Sequence, residues 1–259
     1  MKIHFYKYQS AGNDFIIIDQ YTTPALPIPL DATLVQGLCN RQLGIGADGI
    51  ILLQKHPIYD FEMAYYNADG SQSFCGNGSR CTVHLAHHLR IIQEKTQFMA
   101  MDKVYTAAIQ PQGISVAMQD VDRILRVGED YFVDTGCPHY IRLVDEAALA
   151  GDLSMFAQMI NNTPPFKNSG TNVNFVQLLQ KNAIAIRTYE RGVNAETLSC
   201  GTGSVAAALV AAKHGYIGPI DVTTPGGELQ VRFQIHDGAF TKIHLIGPAT
   251  LVFQGQVDV

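Results

Sequence analysis

Charge is what this 259-residue chain has least of, since Asp, Glu, Lys and Arg together make up only 16% of it. Disorder needs many charges and little apolar surface; with 47% apolar residues the chain is instead expected to fold as a compact globule. No run of Lys or Arg offsets the formal net charge of -5, which argues against a nucleic-acid backbone or an anionic membrane surface as partner and leaves a small molecule. No stretch approaches the roughly eighteen apolar residues of a membrane span, and residues 1–15 lack the apolar core of a signal peptide, so the expected location is the cytoplasm. The cysteines, Cys39, Cys75, Cys81, Cys137 and Cys200, are odd in number and contain no Cys-x-x-Cys pair. That argues against a disulfide scaffold and for free thiols in a reducing compartment.

At roughly 150 residues per domain, the length fits one large domain or two modest ones. Short segments rich in β-branched and aromatic residues, separated by Gly and Pro, read as strands at 15–18, 50–53, 61–66, 132–134, 175–179, 183–189 and 242–246. Helical spacing is clearest at 78–89 and 203–214, with a third candidate at 31–41; loops are expected at 22–29, 161–172 and 215–227.

Sliding the chain against itself reveals a faint repeat. Gly12-Asn13 returns as Gly136-Cys137, Gly46-Ala47-Asp48 as Gly170-Thr171-Asn172, Tyr66-Asn67 as Tyr189-Glu190, and Cys75-Gly76-Asn77-Gly78-Ser79 as Cys200-Gly201-Thr202-Gly203-Ser204. Four landmarks in one order and nearly one register imply two similar halves, divided at about 110–122. Each supplies one cysteine at a Gly-rich turn that opens a helix. Unpaired backbone N–H groups and the helix dipole at such a position bind anions and favour a thiolate. Two such cysteines facing each other across a cleft could remove a proton α to a carboxylate on one face and return one on the other. Inversion requires two acid/base groups on opposite sides of one carbon, together with donors for the enediolate-like charge. One thiol must be held ionised and the other protonated, and His139 and Glu190 are candidates to tune them.

The set Gly12-Asn13-Asp14-Phe15, Gly44-Ile45-Gly46-Ala47-Asp48, Tyr66-Asn67-Ala68-Asp69-Gly70-Ser71, Cys75-Gly76-Asn77-Gly78, Pro138-His139, Asn172, Tyr189-Glu190-Arg191-Gly192 and Cys200-Gly201-Thr202-Gly203 resembles the diaminopimelate epimerase family nearly end to end. The resemblance implies an α+β fold of two pseudo-symmetric halves, each a curled, mostly antiparallel sheet around a central helix. The halves would span 1–118 and 119–259, with the last strand able to pack back on the first. It also implies a substrate held between them, a homodimer, and no metal, pyridoxal phosphate or nicotinamide. Carried over residue by residue, Cys75 and Cys200 look like the catalytic thiols, with His139 and Glu190 as their modulators. Cys200 would take the proton from the L centre and Cys75 would deliver one to the opposite face. Asn13, Asn67, Asn172, Glu190 and Arg191 look like substrate-binding side chains, and Gly76, Asn77, Gly201 and Thr202 like amide donors to the carboxylate at the reacting carbon. Arg191 suits a distal carboxylate, which a guanidinium grips bidentately.

Two positions depart from the better-known form of the pattern. Cys137 stands where an Asn commonly contacts the distal end of the substrate, and Gly49 where a Gln is frequent. Both bear on substrate identity, so a racemase of the same fold acting on another amino acid, such as histidine, is the alternative to interconversion of LL- and meso-2,6-diaminopimelate in lysine and peptidoglycan precursor synthesis. A Cys/His pair for acyl transfer is a second alternative, in which one cysteine would be dispensable. A third is a ligand-binding protein that keeps the anion site and shows no solvent exchange.

Plainer readings suit other residues. Cys39 and Cys81 are expected in the core, and Cys137 stands open between packing and lining the cleft. Gly44-Ile45-Gly46-Ala47-Asp48-Gly49 spells a dinucleotide fingerprint but follows a helix and precedes a strand, the reverse of what phosphate binding requires. His84, His87 and His88 are expected on a solvated helix face, and Asp48 and Asp69 as turn caps.

Overall fold

The structure is a computed structural model that describes residues 2–24 and 30–259; most of the loop expected at 22–29 lies outside the described residues. It divides into two units, one of Met1–Val116 with Gly247–Val259, the other of Ala117–Ile246.

The first unit runs β1 (Lys2–Ser10), β2 (Asn13–Asp19), α1 (Ala32–Cys39), β3 (Gly49–Gln54), β4 (Phe61–Asn67), α2 (Gly76–His88), β5 (Lys95–Ala100), β6 (Lys103–Gln110) and β7 (Gly113–Ala117). Pairing is antiparallel for β1–β2, parallel for β2–β3, antiparallel for β3–β4, parallel for β4–β5, then antiparallel for β5–β6 and β6–β7. The second unit runs β8 (Leu125–Val127), β9 (Asp130–Asp134), β10 (Pro138–Leu143), α3 (Glu146–Ala150), α4 (Ser154–Asn161), β11 (Asn172–Leu178), β12 (Ala183–Glu190), β13 (Ala195–Thr197), α5 (Gly201–Lys213), β14 (Ile220–Thr224), β15 (Gly227–His236) and β16 (Ala239–Gly247). From β9 through β10, β11, β12, β14, β15 and β16 the same succession of senses recurs. The repeat in the sequence is thus a repeat of topology. The last strand, β17 (Thr250–Asp258), pairs antiparallel with β1 as β8 pairs with β9.

Strand alternation assigns the two faces of the first sheet. Ile3, Phe5, Ile16, Ile18, Ile50 and Leu52 form one cluster with Val35 and Leu38 of α1. The opposite face carries Ile51 and Met63, against which α2 is pressed at Gly78: a Cβ there would lie 3.0 Å from Ile51 Cδ1 and 3.2 Å from Met63 Cε. Both faces are covered, which is why these strands read as nearly continuous apolar runs. The central helices are correspondingly buried almost all round, from Gly76 to Val83 in α2 and from Gly203 to Ala211 in α5. The alanines at 206–208 and 211 leave room for the surrounding strands.

One sequence expectation fails here. Residues 215–227 are not a single loop, because β14 occupies Ile220–Thr224 and pairs in parallel with β12. Ile220, Val222 and Thr224 are buried while Asp221 and Thr223 are exposed, a two-residue period masked by its short length and the flanking Gly and Pro. The short helices α3 and α4 are additional to the three helices that sequence spacing picked out.

The Gly44–Gly49 run serves close packing. A Cβ on Gly44 would run into the carbonyls of Gly37 and Leu38 at the end of α1. Gly44→Ala is therefore expected to cost about 1–3 kcal/mol through forced backbone displacement, read as a lowered urea midpoint with unchanged slope.

Candidate active site

Each unit opens its central helix on a cysteine. Cys75 is the N-cap of α2 and Cys200 that of α5, with nearly equal extended backbone angles (φ -130°, ψ 113° and φ -121°, ψ 112°). Sulfur is a weak acceptor and a poor substitute for the usual Ser, Asp or Asn cap, so two cysteine caps are not accounted for by helix stability.

In the first unit the Gly78 N–H donates to Cys75 Sγ at 3.4 Å, and Sγ lies 3.6 Å from Asn13 Oδ1. Asn77, in the first turn after Gly76, donates from Nδ2 to the same Asn13 oxygen at 3.2 Å. The Asn13 amide is oriented by its other end, where Nδ2 donates to Asp48 Oδ2 at 2.6 Å. Asp48 in turn accepts from Arg41 at 2.7 Å, and Arg41 and Lys7 both grip Asp14. Burial alone would push the Asp14 carboxyl up, but bonds to Arg41 and then Lys7 outweigh it and hold the group down at about 2. Asp48 is therefore more than a turn cap, whereas Asp69 is one, accepting from the backbone and hydroxyl of Ser71. Asn67, at the end of β4, ties down the same turn by donating to the Ser71 carbonyl at 3.1 Å and to the Ser71 and Ser73 hydroxyls.

In the second unit Cys200 Sγ lies 3.6 Å from Thr202 Oγ1, and that hydroxyl lies 3.0 Å from His139 Nε2 on β10. His139 Nδ1 faces the amide nitrogen of Asn174 at 3.1 Å. An amide can only donate there, so the neutral ring carries its proton on Nε2 and donates to Thr202, whose hydroxyl is directed to Cys200. Burial pulls His139 down to about 3, so near neutrality it carries no charge. It reaches Cys200 through one hydroxyl. Burial and then the Glu190 carboxylate push Cys200 up to about 12, outweighing the helix N-terminus that was expected to favour its thiolate. Glu190 ends β12 and Arg191 follows it. Asn172 joins the two edges of this site, donating to the Pro138 carbonyl at 3.2 Å and accepting from the Arg191 N–H at 2.9 Å. Cys137 is half-buried, and burial raises its thiol. At Gly49 a side chain would collide with the Tyr66 carbonyl and the Tyr65 ring, so the space a Gln would need is occupied.

Behind these residues stand Asp48 and Arg41 in the first unit and Asn174 in the second, none of which sequence reasoning marked as functional. Asn174 is fully buried, donates also to the Tyr140 carbonyl at 3.0 Å and accepts from the Thr188 hydroxyl at 2.9 Å. Its signal was a buried-strand pattern, Val173-Asn174-Phe175, broken by an amide. Cys39 and Cys81 are core residues, as expected. His84 departs from the solvated face: His87 and His88 are exposed, but its ring bonds the Tyr8 hydroxyl at 3.1 Å.

The diaminopimelate epimerase family model matches residues 5–117 and 131–252. A diaminopimelate epimerase from Flavobacterium psychrophilum is 42% identical over 254 residues, covering 96% of this chain and 98% of the relative. One from Aquifex aeolicus is 34% identical over 276 residues, covering 99% and 98%. Among solved structures, a phenazine biosynthesis protein from Bacillus anthracis superposes with a TM-score of 0.75 at 12% identity, covering 100% of both chains. A hydroxyproline epimerase from Agrobacterium vitis gives 0.69 at 14%, covering 99% of this chain and 92% of that one. These two establish a shared fold, the α+β two-half fold that the family resemblance implied. Identity of 34–42% over nearly the whole length establishes more: the chain belongs to the diaminopimelate epimerase family.

Proposed function

We propose that this chain interconverts LL- and meso-2,6-diaminopimelate without a cofactor, by proton exchange between two cysteines. The observation that carries the reading is a cysteine capping the central helix of each unit, in a member of this family. In the LL-to-meso direction the Cα–H bond breaks toward the Cys200 thiolate and its electron pair moves into the carboxylate, giving an enediolate-like anion. The Cys75 S–H bond then breaks and a new C–H bond forms on the opposite face, leaving Cys200 as thiol and Cys75 as thiolate. The reverse direction exchanges the roles. The chemistry requires the two sulfurs on opposite sides of one carbon. Backbone N–H groups of Gly76, Asn77, Gly201 and Thr202, at the starts of two helices, suit the charge that develops on the carboxylate.

His139 acts in this scheme as a neutral group that orients the Thr202 hydroxyl, and Glu190 favours the protonated form of Cys200. Asn13 and Asn172, each fixed at one end by a second partner, present oriented amides. Asn67 is assigned to the substrate by family likeness. Arg191 bonds the Ser169 carbonyl at 3.2 Å and would meet the distal carboxylate. A homodimer in the cytoplasm is the assembly and location that go with this function. Among the described residues no helix is long and apolar enough to cross a membrane.

The test is NMR in D₂O with reduced protein and, separately, LL-diaminopimelate and L-histidine. Deuterium entry at Cα with appearance of the meso isomer is expected for the first and none for the second. Exchange on histidine alone would reassign the chain to another amino acid, and exchange on neither would overturn the catalytic reading.

A further inference from the structure

Arg80 lies one turn into α2, fully buried, the largest wholly enclosed side chain of the described residues. A guanidinium so placed ordinarily faces a carboxylate, because an uncompensated buried charge is costly. This one forms no ion pair among the described residues. Nε and Nη2 donate to the Ser10 hydroxyl at 3.1 and 2.8 Å, Nη2 donates to Asn77 Oδ1, and Nη1 has no hydrogen-bond partner. Through Asn77, which shares the Asn13 oxygen with Cys75, Arg80 is two hydrogen bonds from the capping sulfur's own acceptor. In the register that superposes Cys75 on Cys200, Arg80 falls on Val205. The charge therefore exists in one half and has no counterpart in the other.

Resting on the two-thiol reading, we propose that Arg80 is a positioning residue whose uncompensated charge makes Cys75 the more acidic of the two thiols, breaking the electrostatic symmetry of the pair. Burial lowers Arg80 to about 10, so it stays protonated near neutrality, and interaction with ionised Cys81 and Cys75 favours its charged form. Cys81, fully buried beside it, is pushed well above the usual thiol range and stays protonated. The other ionisable groups on the elements packed against α2 are engaged elsewhere or lie apart. On β1, the Tyr8 hydroxyl bonds His84 and Lys7 pairs with Asp14. On β2, Asp14 also binds Arg41 and Asp19 caps residues 21–22. On β4, Glu62 alternates away from the face of Met63, and Tyr65 packs edge-on against Phe15. On β17, Asp258 pairs with Lys2, at the end of β1 remote from Ser10. Without substrate the protein then carries its thiolate on Cys75 and its proton on Cys200, the form required for the meso-to-LL direction.

The experiment is alkylation by iodoacetamide across pH, read separately at Cys75 and Cys200 by peptide mass, on reduced protein without substrate. In the wild type, Cys75 is expected to react with a midpoint at least ~1 pH unit below that of Cys200. Arg80→Gln should raise the Cys75 midpoint by about 1 unit and leave that of Cys200 in place, and Arg80→Lys should restore it. Ser10→Asp, which gives the retained guanidinium an anionic partner, should raise it as well and covers the case in which Arg80→Gln fails to fold. A Cys75 midpoint at or above that of Cys200, or one unmoved in folded Arg80→Gln and Ser10→Asp, would overturn the proposal. The readout needs no substrate, so failure here is distinct from failure of the epimerase assignment.

Discussion

Replacing either Cys75 or Cys200 with alanine is expected to reduce interconversion of the two isomers by about three orders of magnitude or more, while each folded variant keeps its secondary structure. The reason is stereochemical. With one sulfur gone, a proton can be removed and returned only on one face of the carbon, and the configuration is restored rather than inverted. Cys75 is a half-buried cap whose loss should cost near 1 kcal/mol, and Cys200, buried and without a side-chain capping bond, should cost about 1–2 kcal/mol through the space its thiol leaves. Chiral separation of the products at equal folded concentration reads the effect. Loss in only one variant would indicate a single nucleophile, as acyl transfer needs, and near-normal rates in both would remove the thiols from the chemistry.

Lowering the pH from 7.5 to 4.5 is expected to cost the wild type about 2–3 kcal/mol more stability than it costs His139→Gln. His139 is buried neutral, with its folded value lowered from 6.5 to about 3. Between those values the unfolded chain binds a proton that the folded chain does not. This contribution is therefore fully present above pH 6.5 and is lost as the pH falls through 6.5 toward 3. Glutamine can still accept from Asn174 and donate to Thr202, which limits the unpaired polar groups the substitution leaves behind. Urea midpoints at the two pH values measure the difference. Parallel loss in both proteins would show that His139 is not the buried neutral link to Thr202.

That the chain consists of two similar halves was legible in the sequence because the repeat kept its landmarks in one order, glycines at turns and Cys-Gly-x-Gly at the start of each central helix, while the succession of parallel and antiparallel pairings was not. Strand β14 was not legible, since five residues between Gly-Pro and Pro-Gly-Gly give too short an alternation to stand out from a loop. In the site, the first turn of each helix could be read from motif alone. The groups behind it could not. Arg80 sits within a buried segment where a polar residue has no local signature, Asn174 shows locally only as an amide interrupting an apolar strand, and their partners, Ser10 and His139, are 70 and 35 residues away along the chain. Asp48 carried a signal consistent with a simple turn, and only the fold brought Asn13 and Arg41 to it. The raised acidity threshold of Cys200 was equally hidden. A helix N-terminus favours the thiolate, and which influence prevails depends on burial and on Glu190, neither of which the spacing encodes.

The most direct test of the two-base mechanism is the fate of hydrogen in the first few per cent of reaction. LL-diaminopimelate carrying protium at Cα is incubated with reduced protein in D₂O, and isotope content is measured in both isomers. Thiols exchange with solvent before donating, so the meso product should carry deuterium at the inverted carbon while the remaining LL substrate carries almost none. Meso product that retains the substrate's own protium would mean one group both removes and returns the proton, and the two-cysteine account would be wrong.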